Sequence, residues 1–449
     1  MTAVYYALGV VLFFVAILVS IGLHELGHLI PAKAFGGKVT QYFVGFGPTV
    51  WSTQRGETEV GIKAIPLGGY VKIIGMLPPG AEQLGERMPD GSLKIRRSNT
   101  GMFTQLISDA RAAEWELVQP GDEGRLFYKM AWWKKVVVMA GGPTVNLLIA
   151  FVLFSILFGA YGMHETKADA GRPVLDTVSQ CVIPYVDQRT DCRSGDPESP
   201  AAKAGLQPGD TVTTFNGTAV TSWDQLKDLV RANQDGAATI GYVRDGVEHV
   251  ATTNTTVEAR PSSETDQTLR EVGFLGVAPT TRVVVTRGGP LFTLEQMGGM
   301  TRDSVVALAH LPVKVWGVAK AIVGADPRDP NGPVSIVGGG RIAGEAVSEN
   351  DFPLLDKVMF LLSLVAGFNL FIGLFNFVPL LPLDGGHIAS ALWEAVRRGL
   401  ARVRHRPDPG YVDAAKLLPV AYVVATALLV MGGVLIVGDL VVPVHLQSQ

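Results

Sequence analysis

The sequence predicts a mainly α-helical membrane protein with four transmembrane helices, a small β-hairpin or sheet on the cytoplasmic side, and an α+β domain outside the membrane. Four uncharged apolar runs carry this prediction, because about 20 such residues span a bilayer. A long polar stretch with strand-like runs separates the second run from the third. The hydrophobic fraction of 47% fits a chain that combines membrane helices with soluble parts. The runs are residues 4–23, 136–163, 358–383 and 417–438.

The charge balance argues against a nucleic-acid partner. The chain carries 38 Lys and Arg against 41 Asp and Glu, a net charge of -3. No basic cluster or long run of like charges suggests a nucleic-acid-binding face or an interaction tail.

The first region, residues 1–35, ends its apolar run with His24, Glu25 and His28 in the pattern His-Glu-Leu-Gly-His. Residues four apart share one face of a helix, so both imidazoles can bind one Zn²⁺ while Glu25 reaches a water molecule there. Structural histidines are the alternative. However, ionisable groups in an apolar membrane segment cost several kcal/mol unless they have a partner. We therefore predict a zinc site with Glu25 as the catalytic residue.

Residues 36–77 contain short apolar stretches broken by glycine and proline, which predict strands joined by turns. One of these strands contains Gly69, Tyr70 and Val71. A sheet beside the zinc motif would offer an edge that binds an extended substrate, although a purely structural hairpin explains the pattern equally well. Residues 78–130 are polar and predict a cytoplasmic insertion with one short amphipathic segment.

The second transmembrane helix is predicted over residues 131–164. Small residues near its start permit close helix packing, and Asn146 brings an amide that needs a partner in lipid. For Asn146, hydrogen bonding to another helix is favoured over contact with a substrate.

Residues 165–281 have a soluble composition and predict the α+β domain. A short helix after Ser199, a turn at Pro208-Gly209-Asp210, an Asn-Gly hairpin and a helix from Trp223 follow in order. This arrangement resembles a PDZ domain of the bacterial protease type, which implies a groove that binds peptide ends or extended segments. The chain's two cysteines, Cys181 and Cys192, lie in this region. On the oxidising side of a membrane they are predicted to form a disulfide rather than remain free thiols.

Residues 282–352 form a predicted linker. Apolar residues recur at helical spacing between 291 and 323, which predicts a helix that lies along the outer membrane surface or clamps the α+β domain to the membrane spans. Pro312 predicts a break near the middle of this helix.

Lysines and arginines predict the orientation of the chain in the cell membrane. They follow the first span, precede the second, and fill the loop at residues 389–413 between the third span, residues 353–388, and the fourth, residues 414–443. Because such loops stay cytoplasmic, both termini and the α+β domain are predicted to lie outside.

Asp384 is the predicted third zinc ligand. Catalytic zinc needs three protein ligands and one open position. The first and third spans must run in the same direction, so the histidine motif and Asp384 end at one cytoplasmic depth. Pro379 and Pro382 would unwind the helix there, while a simple Asp-Gly-Gly turn is the alternative. Asn376 is a candidate for the oxyanion or for a substrate carbonyl, with helix packing as its equal alternative.

These motifs together resemble the site-2 protease family of intramembrane zinc metalloproteases. The resemblance is closest to the bacterial branch with one PDZ domain, and to actinobacterial regulators of anti-sigma factors. It implies a Zn²⁺ cofactor and an active site near the cytoplasmic side. It also implies single-pass transmembrane substrates, such as anti-sigma factors already cut by a site-1 protease, in regulated intramembrane proteolysis.

Two other classes of function remain as alternatives. A zinc transporter or sensor would carry polar ligands along several spans, but the run at 417–438 has no ionisable group. A PDZ scaffold without activity would not need the complete set of ligands and Glu25.

Overall fold

The computed structural model describes residues 2–79, 102–168, 171–185, 189, 191–261, 269–350 and 352–445, together with 86–87 and 93–94. The chain forms two compact units. One, called here the helical unit, comprises Met1–Tyr161 and Gly288–Gln449, and the other, the inserted unit, comprises Gly162–Arg287. Most of the predicted insertion between residues 80 and 101 lies outside the described residues.

Helices dominate the helical unit, whereas the inserted unit contains only α4 and α5 of those described. The helices are α1 Thr2–Ala34, α2 Met102–Trp115, α3 Trp132–Ile156, α4 Pro200–Lys203, α5 Trp223–Ala232, α6 Pro290–Ile322, α7 Ile336–Ser348, α8 Leu354–Asn376, α9 Asp384–Val403 and α10 Leu418–Val441.

The described strands form small antiparallel sheets. They are β1 Val39–Arg55, β2 Thr58–Ile73, β3 Glu86–Arg87, β4 Leu93–Lys94, β5 Met163–Ala168, β6 Leu175–Val178, β7 Thr211–Phe215, β8 Thr218–Ala219, β9 Ala237–Arg244, β10 Val247–Asn254, β11 Thr256–Pro261, β12 Leu269–Phe274, β13 Val277–Pro279 and β14 Thr281–Thr286.

Five of the described helices are long and apolar enough to cross a membrane: α1, α3, α6, α8 and α10 with its preceding turn. Their outward faces are apolar, with Val4 71%, Val313 71% and Leu429 76% exposed. Apolar surface on this scale suits lipid rather than water. The chain is therefore mostly helical and embedded in a membrane.

The predicted break at Pro312 is wrong. Pro312 lies inside α6, which is one continuous helix. Proline removes one backbone hydrogen bond, but apolar helices tolerate this where neighbouring groups satisfy the freed carbonyl. Val315 and Val318 are buried just beyond it, so packing supports the second half of α6.

The prediction of a loop over residues 389–413 is also wrong for its first half, because these residues belong to helix α9. The third predicted span, residues 353–388, is correspondingly divided, because α8 ends at Asn376 and α9 begins at Asp384. Pro379 and Pro382 lie in the non-helical segment between them, where the sequence predicts unwinding. Asp384 thereby becomes the first residue of a helix.

Two apolar helices run in the same direction at the centre of the helical unit. Near their starts, Lys357 of α8 lies over the ring of Tyr5 of α1. Further along, the Asn369 amide of α8 donates to Ser20 Oγ of α1 at 3.0 Å. Helix α3 packs on both of them. The parallel course brings the ends of the first and third predicted spans to the same depth.

The sheet of β1 and β2 folds back on itself. Tyr42 of β1 pairs with Val71 near the end of β2 and also with Val60 near its start. The first half of β1 therefore lies between the two halves of β2. In the described ladder, the second half of β2 is hydrogen-bonded to β1 on one side only. Its other edge has no strand partner there and lies beside α1, where Gly69 adjoins Glu25 and Ile21.

The inserted unit has its own apolar core, which includes Phe215, Leu226 and Ile240. Asn216 and Gly217 form the turn between β7 and β8 with positive φ. Asp210 is buried and ion-paired to Arg244. Burial alone would raise the pKa of Asp210, but hydrogen bonds from Arg244 and from a backbone N–H outweigh it and lower the pKa.

The two cysteines of the inserted unit, Cys181 and Cys192, form a disulfide.

Candidate active site

Three potential metal ligands converge where the C-terminal part of α1 meets the start of α9. The Nε2 atoms of His24 and His28 are 3.3 Å apart. Asp384 Oδ2 lies 3.4 Å from His24 Nε2 and 3.3 Å from His28 Nε2. The histidines share one face of α1, and Asp384 reaches them because the chain unwinds before α9.

These spacings fit zinc. Ligand atoms about 2.0–2.1 Å from a tetrahedral Zn²⁺ lie about 3.3 Å from one another. The three atoms of His24, His28 and Asp384 form such a triangle. The donor set of two imidazoles and one carboxylate is also the kind found in catalytic zinc sites. Among the described residues, this is the one group of at least three His, Cys, Asp or Glu side chains close enough to hold a metal.

A backbone carbonyl fixes the orientation of one ligand. His28 Nδ1 lies 2.8 Å from Val138 O of α3. If Nδ1 carries the proton and donates it to this carbonyl, Nε2 is left with a lone pair for a metal. The side chain of His28 is 7% exposed, and α3 packs against it.

Gly142 of α3 provides the space for the two imidazoles. A Cβ at this position would lie 2.7 Å from His24 Nε2 and would collide with His28 Nε2 as well. The same turn of α3 approaches α1 closely where Gly141 meets Gly27. A single methyl group therefore displaces the metal-binding nitrogens.

Gly142→Ala is expected to weaken zinc binding by at least about 10–100-fold, the range found when groups supporting a metal ligand are lost. The measurement is competition with a chelator on the purified protein. Gly367→Ala in α8 is the matched control, because a Cβ there meets nothing within 4 Å. Equal zinc affinity of the two variants would contradict the role assigned to Gly142.

The edge of β2 adjoins Glu25. A Cβ on Gly69 would lie 2.9 Å from Glu25 Cγ, and the Glu25 carboxylate faces the backbone of Val71. The hydroxyl of Tyr42 donates to the carbonyl of Gly22 in α1 at 2.8 Å, which ties the sheet to the helix. The strand predicted to bind substrate thus lies directly beside the predicted catalytic carboxylate.

A cavity of about 450 Å³ joins these features. It is within the size range of ligand pockets. Its walls combine the three ligands and Glu25 with the edge of β2 and with apolar residues of α1, α3 and α8. They include Ser20, Gly68, Gly69, Tyr70, Val71, Met139, Asn146, Phe368, Ile372 and Asn376.

Comparison of the sequence with known proteins identifies a family. A sequence model of peptidase family M50 matches residues 12–408. The chain belongs to peptidase family M50. It is 36% identical over 451 residues to zinc metalloprotease Rip1 of Mycobacterium tuberculosis (strain ATCC 25618 / H37Rv), covering 98% of each chain. It is 33% identical over 455 residues to zinc metalloprotease Rip1 of Mycolicibacterium smegmatis, covering 98% of this chain and 99% of the relative.

Membership of the M50 family confirms the resemblance to site-2 proteases. The protein is an intramembrane zinc metalloprotease with a Zn²⁺ cofactor. The transporter, sensor and scaffold alternatives are not favoured by these matches.

The structure sorts the remaining candidates. Asn376 and Asn146 both line the cavity. Asn146 is 2% exposed, and its Oδ1 has no hydrogen-bond partner among the described residues. Cys181 and Cys192 belong to the other unit.

Sequence reasoning missed several residues that support the site. The group of Val138 that binds His28 is a backbone carbonyl, which any residue type provides, so the sequence does not indicate it. Ser20 and Asn369 meet across 349 positions of sequence, and Lys135 and Glu394 across 259. The one sequence signal that could have indicated these supporting residues was a charged residue among apolar residues at helical spacing, as at Glu394.

Proposed function

We propose that this M50 peptidase cuts a transmembrane segment of a single-pass membrane protein near the cytoplasmic side of the bilayer. The observation that carries the proposal is the triangle of His24, His28 and Asp384 beside Glu25, at the inner ends of apolar helices. Ionisable groups at such a depth mark a functional site.

Glu25 is proposed as the general base and acid. His24, His28 and Asp384 would hold the zinc ion, which would supply a lowered pKa of water and polarisation of the substrate carbonyl. Glu25 takes the proton of the attacking water and passes it to the leaving amine. Asn376, at the end of α8 and in the cavity wall, is proposed to donate to the oxyanion or to the substrate carbonyl.

The edge of β2 is proposed to hold the substrate backbone. A helical peptide bond is shielded by its own hydrogen bonds, so the substrate must unwind before it is cut. The edge formed by Gly69, Tyr70 and Val71 offers replacement hydrogen bonds by strand addition. Gly69 has no side chain, so a bound strand would approach Glu25 closely.

Four helices are proposed to cross the membrane, namely α1, α3, α8 and α10, with α6 lying along the outer surface. Phe292 at the start of α6 packs on Phe158. Phe158 follows the C-terminal end of α3, which is the end remote from the metal cluster. Val318 near the end of α6 packs on Gly438 of α10.

The end of α10 is also remote from the cluster. Asp439 accepts a hydrogen bond from the backbone of Ser335 before α7, and α7 packs on the start of α1. Both ends of α6 therefore meet the same side of the bundle, which a membrane-crossing helix would not do.

The side of the bundle with the metal cluster is proposed to face the cytoplasm. Trp132 and Trp133 are exposed at the start of α3, followed by Lys134 and Lys135. Tryptophan is common at both membrane interfaces, and lysine near a helix end is typical of the cytoplasmic one. The chain enters and leaves the inserted unit at residues 161 and 288, beside the opposite end of α3, so this unit lies outside the cell together with both termini.

The inserted unit is proposed to be a PDZ domain. Its helix α5 and the segment from Val272 to Val277 border a groove of about 130 Å³. Gly276 has φ +92, so the segment turns sharply between β12 and β13. Such a groove suits a peptide end or an extended segment. We propose that substrates are single-pass proteins such as anti-sigma factors, trimmed first by a site-1 protease in regulated intramembrane proteolysis.

Reconstitution of the full chain with a model transmembrane substrate tests the proposed reaction. The purified protein in lipid vesicles is expected to cut within the membrane segment, to stop when a chelator removes zinc, and to recover when zinc is restored. Mass spectrometry of the products locates the cut. A zinc-loaded protein that leaves every membrane segment intact but hydrolyses soluble peptides would contradict the proposal.

A further inference from the structure

A buried ion pair lies on the cytoplasmic side of the metal cluster. Lys135 Nζ of α3 donates to Glu394 Oε2 of α9 at 2.7 Å, and their side chains are 7% and 1% exposed. Because desolvation of both charges offsets most of their attraction, such a pair contributes little net stability. Its more specific effect is to fix the geometry between the two helices.

Each of these helices also carries a part of the metal cluster. Two turns beyond Lys135, Gly142 of α3 lies against both imidazoles, and between them the Val138 carbonyl binds His28. Helix α9 begins with Asp384, roughly 15 Å along the axis from Glu394 at 1.5 Å per residue. The ion pair thus joins two helices that both border the cluster. A fixed contact between them limits the rotation of α9 and its sliding along α3.

Other groups hold Glu394 in place. Arg398 Nη2 lies 3.3 Å from Glu394 Oε1, and the backbone N–H of Val412 donates to Oε2 at 3.4 Å. The ring of Tyr411 lies 5.1 Å from Lys135 Nζ and 5.0 Å from the Arg398 guanidinium. Glu394 is therefore bound from three sides. Asp384, by contrast, has only the two imidazoles as polar side-chain partners in the described part of the chain.

We propose that Lys135 and Glu394 are a positioning pair that sets Asp384 at metal-binding distance from His24 and His28. The inference rests on the proposed metal site and adds residues that touch neither metal nor substrate. The pair acts through the rigid length of α9. Without it, α9 can rotate or slide, and its first residue moves away from the imidazoles.

Replacing the pair by apolar side chains separates positioning from stability. Lys135→Met combined with Glu394→Leu removes both charges of the pair and keeps the volume filled, so the thermal midpoint is expected to fall less than in either single variant, which leaves one buried charge of the pair without its partner. Zinc affinity of the full-length protein, measured by chelator competition, is expected to fall about 10–100-fold, as for loss of groups that support a metal ligand. The visible absorption spectrum of the Co²⁺-loaded protein is expected to change as well.

Arg328 and Asp439 provide a matched control. This pair is equally buried, at 9% and 1% exposure, but lies at the other end of the bundle. Asp439→Asn is expected to lower the thermal midpoint without changing zinc affinity or the Co²⁺ spectrum. The positioning role is overturned if the apolar pair binds zinc as tightly as the unaltered protein, or if Asp439→Asn weakens zinc equally. If the unaltered protein binds no zinc, or Asp384→Ala has no effect on its affinity, the proposed metal site itself fails instead.

Discussion

Glu25→Gln is expected to leave zinc bound at the level of the unaltered protein while lowering cleavage of a transmembrane substrate by at least about 10²–10⁴-fold, the usual contribution of a general base. Glutamine has nearly the shape of glutamate but cannot accept a proton. Glu25 is absent from the triangle of ligand atoms, so the metal keeps all three of its protein ligands. The measurements are zinc content and initial cleavage rate on the same preparation.

Glu116→Gln is the matched control for this change, because Glu116 is exposed and lies beyond the end of α2, away from the cavity. It should retain both zinc and activity. Full proteolysis by Glu25→Gln would remove Glu25 from the mechanism. Loss of zinc together with activity would show instead that the residue supports the metal.

Asp384→Ala is expected to weaken zinc binding by more than about 100-fold, beyond the cost of losing a group that only supports a ligand. The carboxylate supplies one corner of the triangle, and alanine leaves two imidazoles alone. Chelator competition gives the affinity, and cleavage is expected to fall in parallel at limiting zinc.

Asp384→Cys is expected to recover part of this affinity, since a thiolate also binds zinc. Asp303→Ala, an exposed acid on α6, should bind zinc normally. If Asp384→Ala bound zinc as tightly as the Asp303 variant, the third ligand would have to be sought elsewhere.

The sequence predicted those features of the site that depend on neighbouring residues only. The spacing of His24 and His28 places both on one helical face whatever the rest of the chain does. Pro379 and Pro382 unwind the chain before Asp384 because proline cannot continue a helix without losing a hydrogen bond. The common depth of the two motifs follows from counting membrane crossings, which needs no contact information.

Features that depend on contacts between distant parts of the chain could not be predicted from local sequence patterns. The double pairing of Tyr42 with Val71 and Val60 requires β1 to insert between two halves of one strand, and no residue signals that fold. The sequence of α9 contains many charged residues and was therefore interpreted as a loop. Its helical structure depends on burial of residues such as Ala391 and Glu394, which the sequence alone does not reveal. The break predicted at Pro312 does not occur because tertiary packing of the neighbouring residues keeps α6 continuous. Local sequence rules do not include such packing.

Zinc K-edge X-ray absorption on the purified full-length protein tests most directly whether His24, His28 and Asp384 bind one metal ion. We expect two imidazole nitrogens at about 2.0–2.1 Å and oxygen ligands at about 2.0–2.2 Å in a four-coordinate site, with one oxygen lost or replaced by water in Asp384→Ala. A spectrum without imidazole scattering, or one that Asp384→Ala leaves unchanged in both coordination and affinity, would contradict the proposed centre.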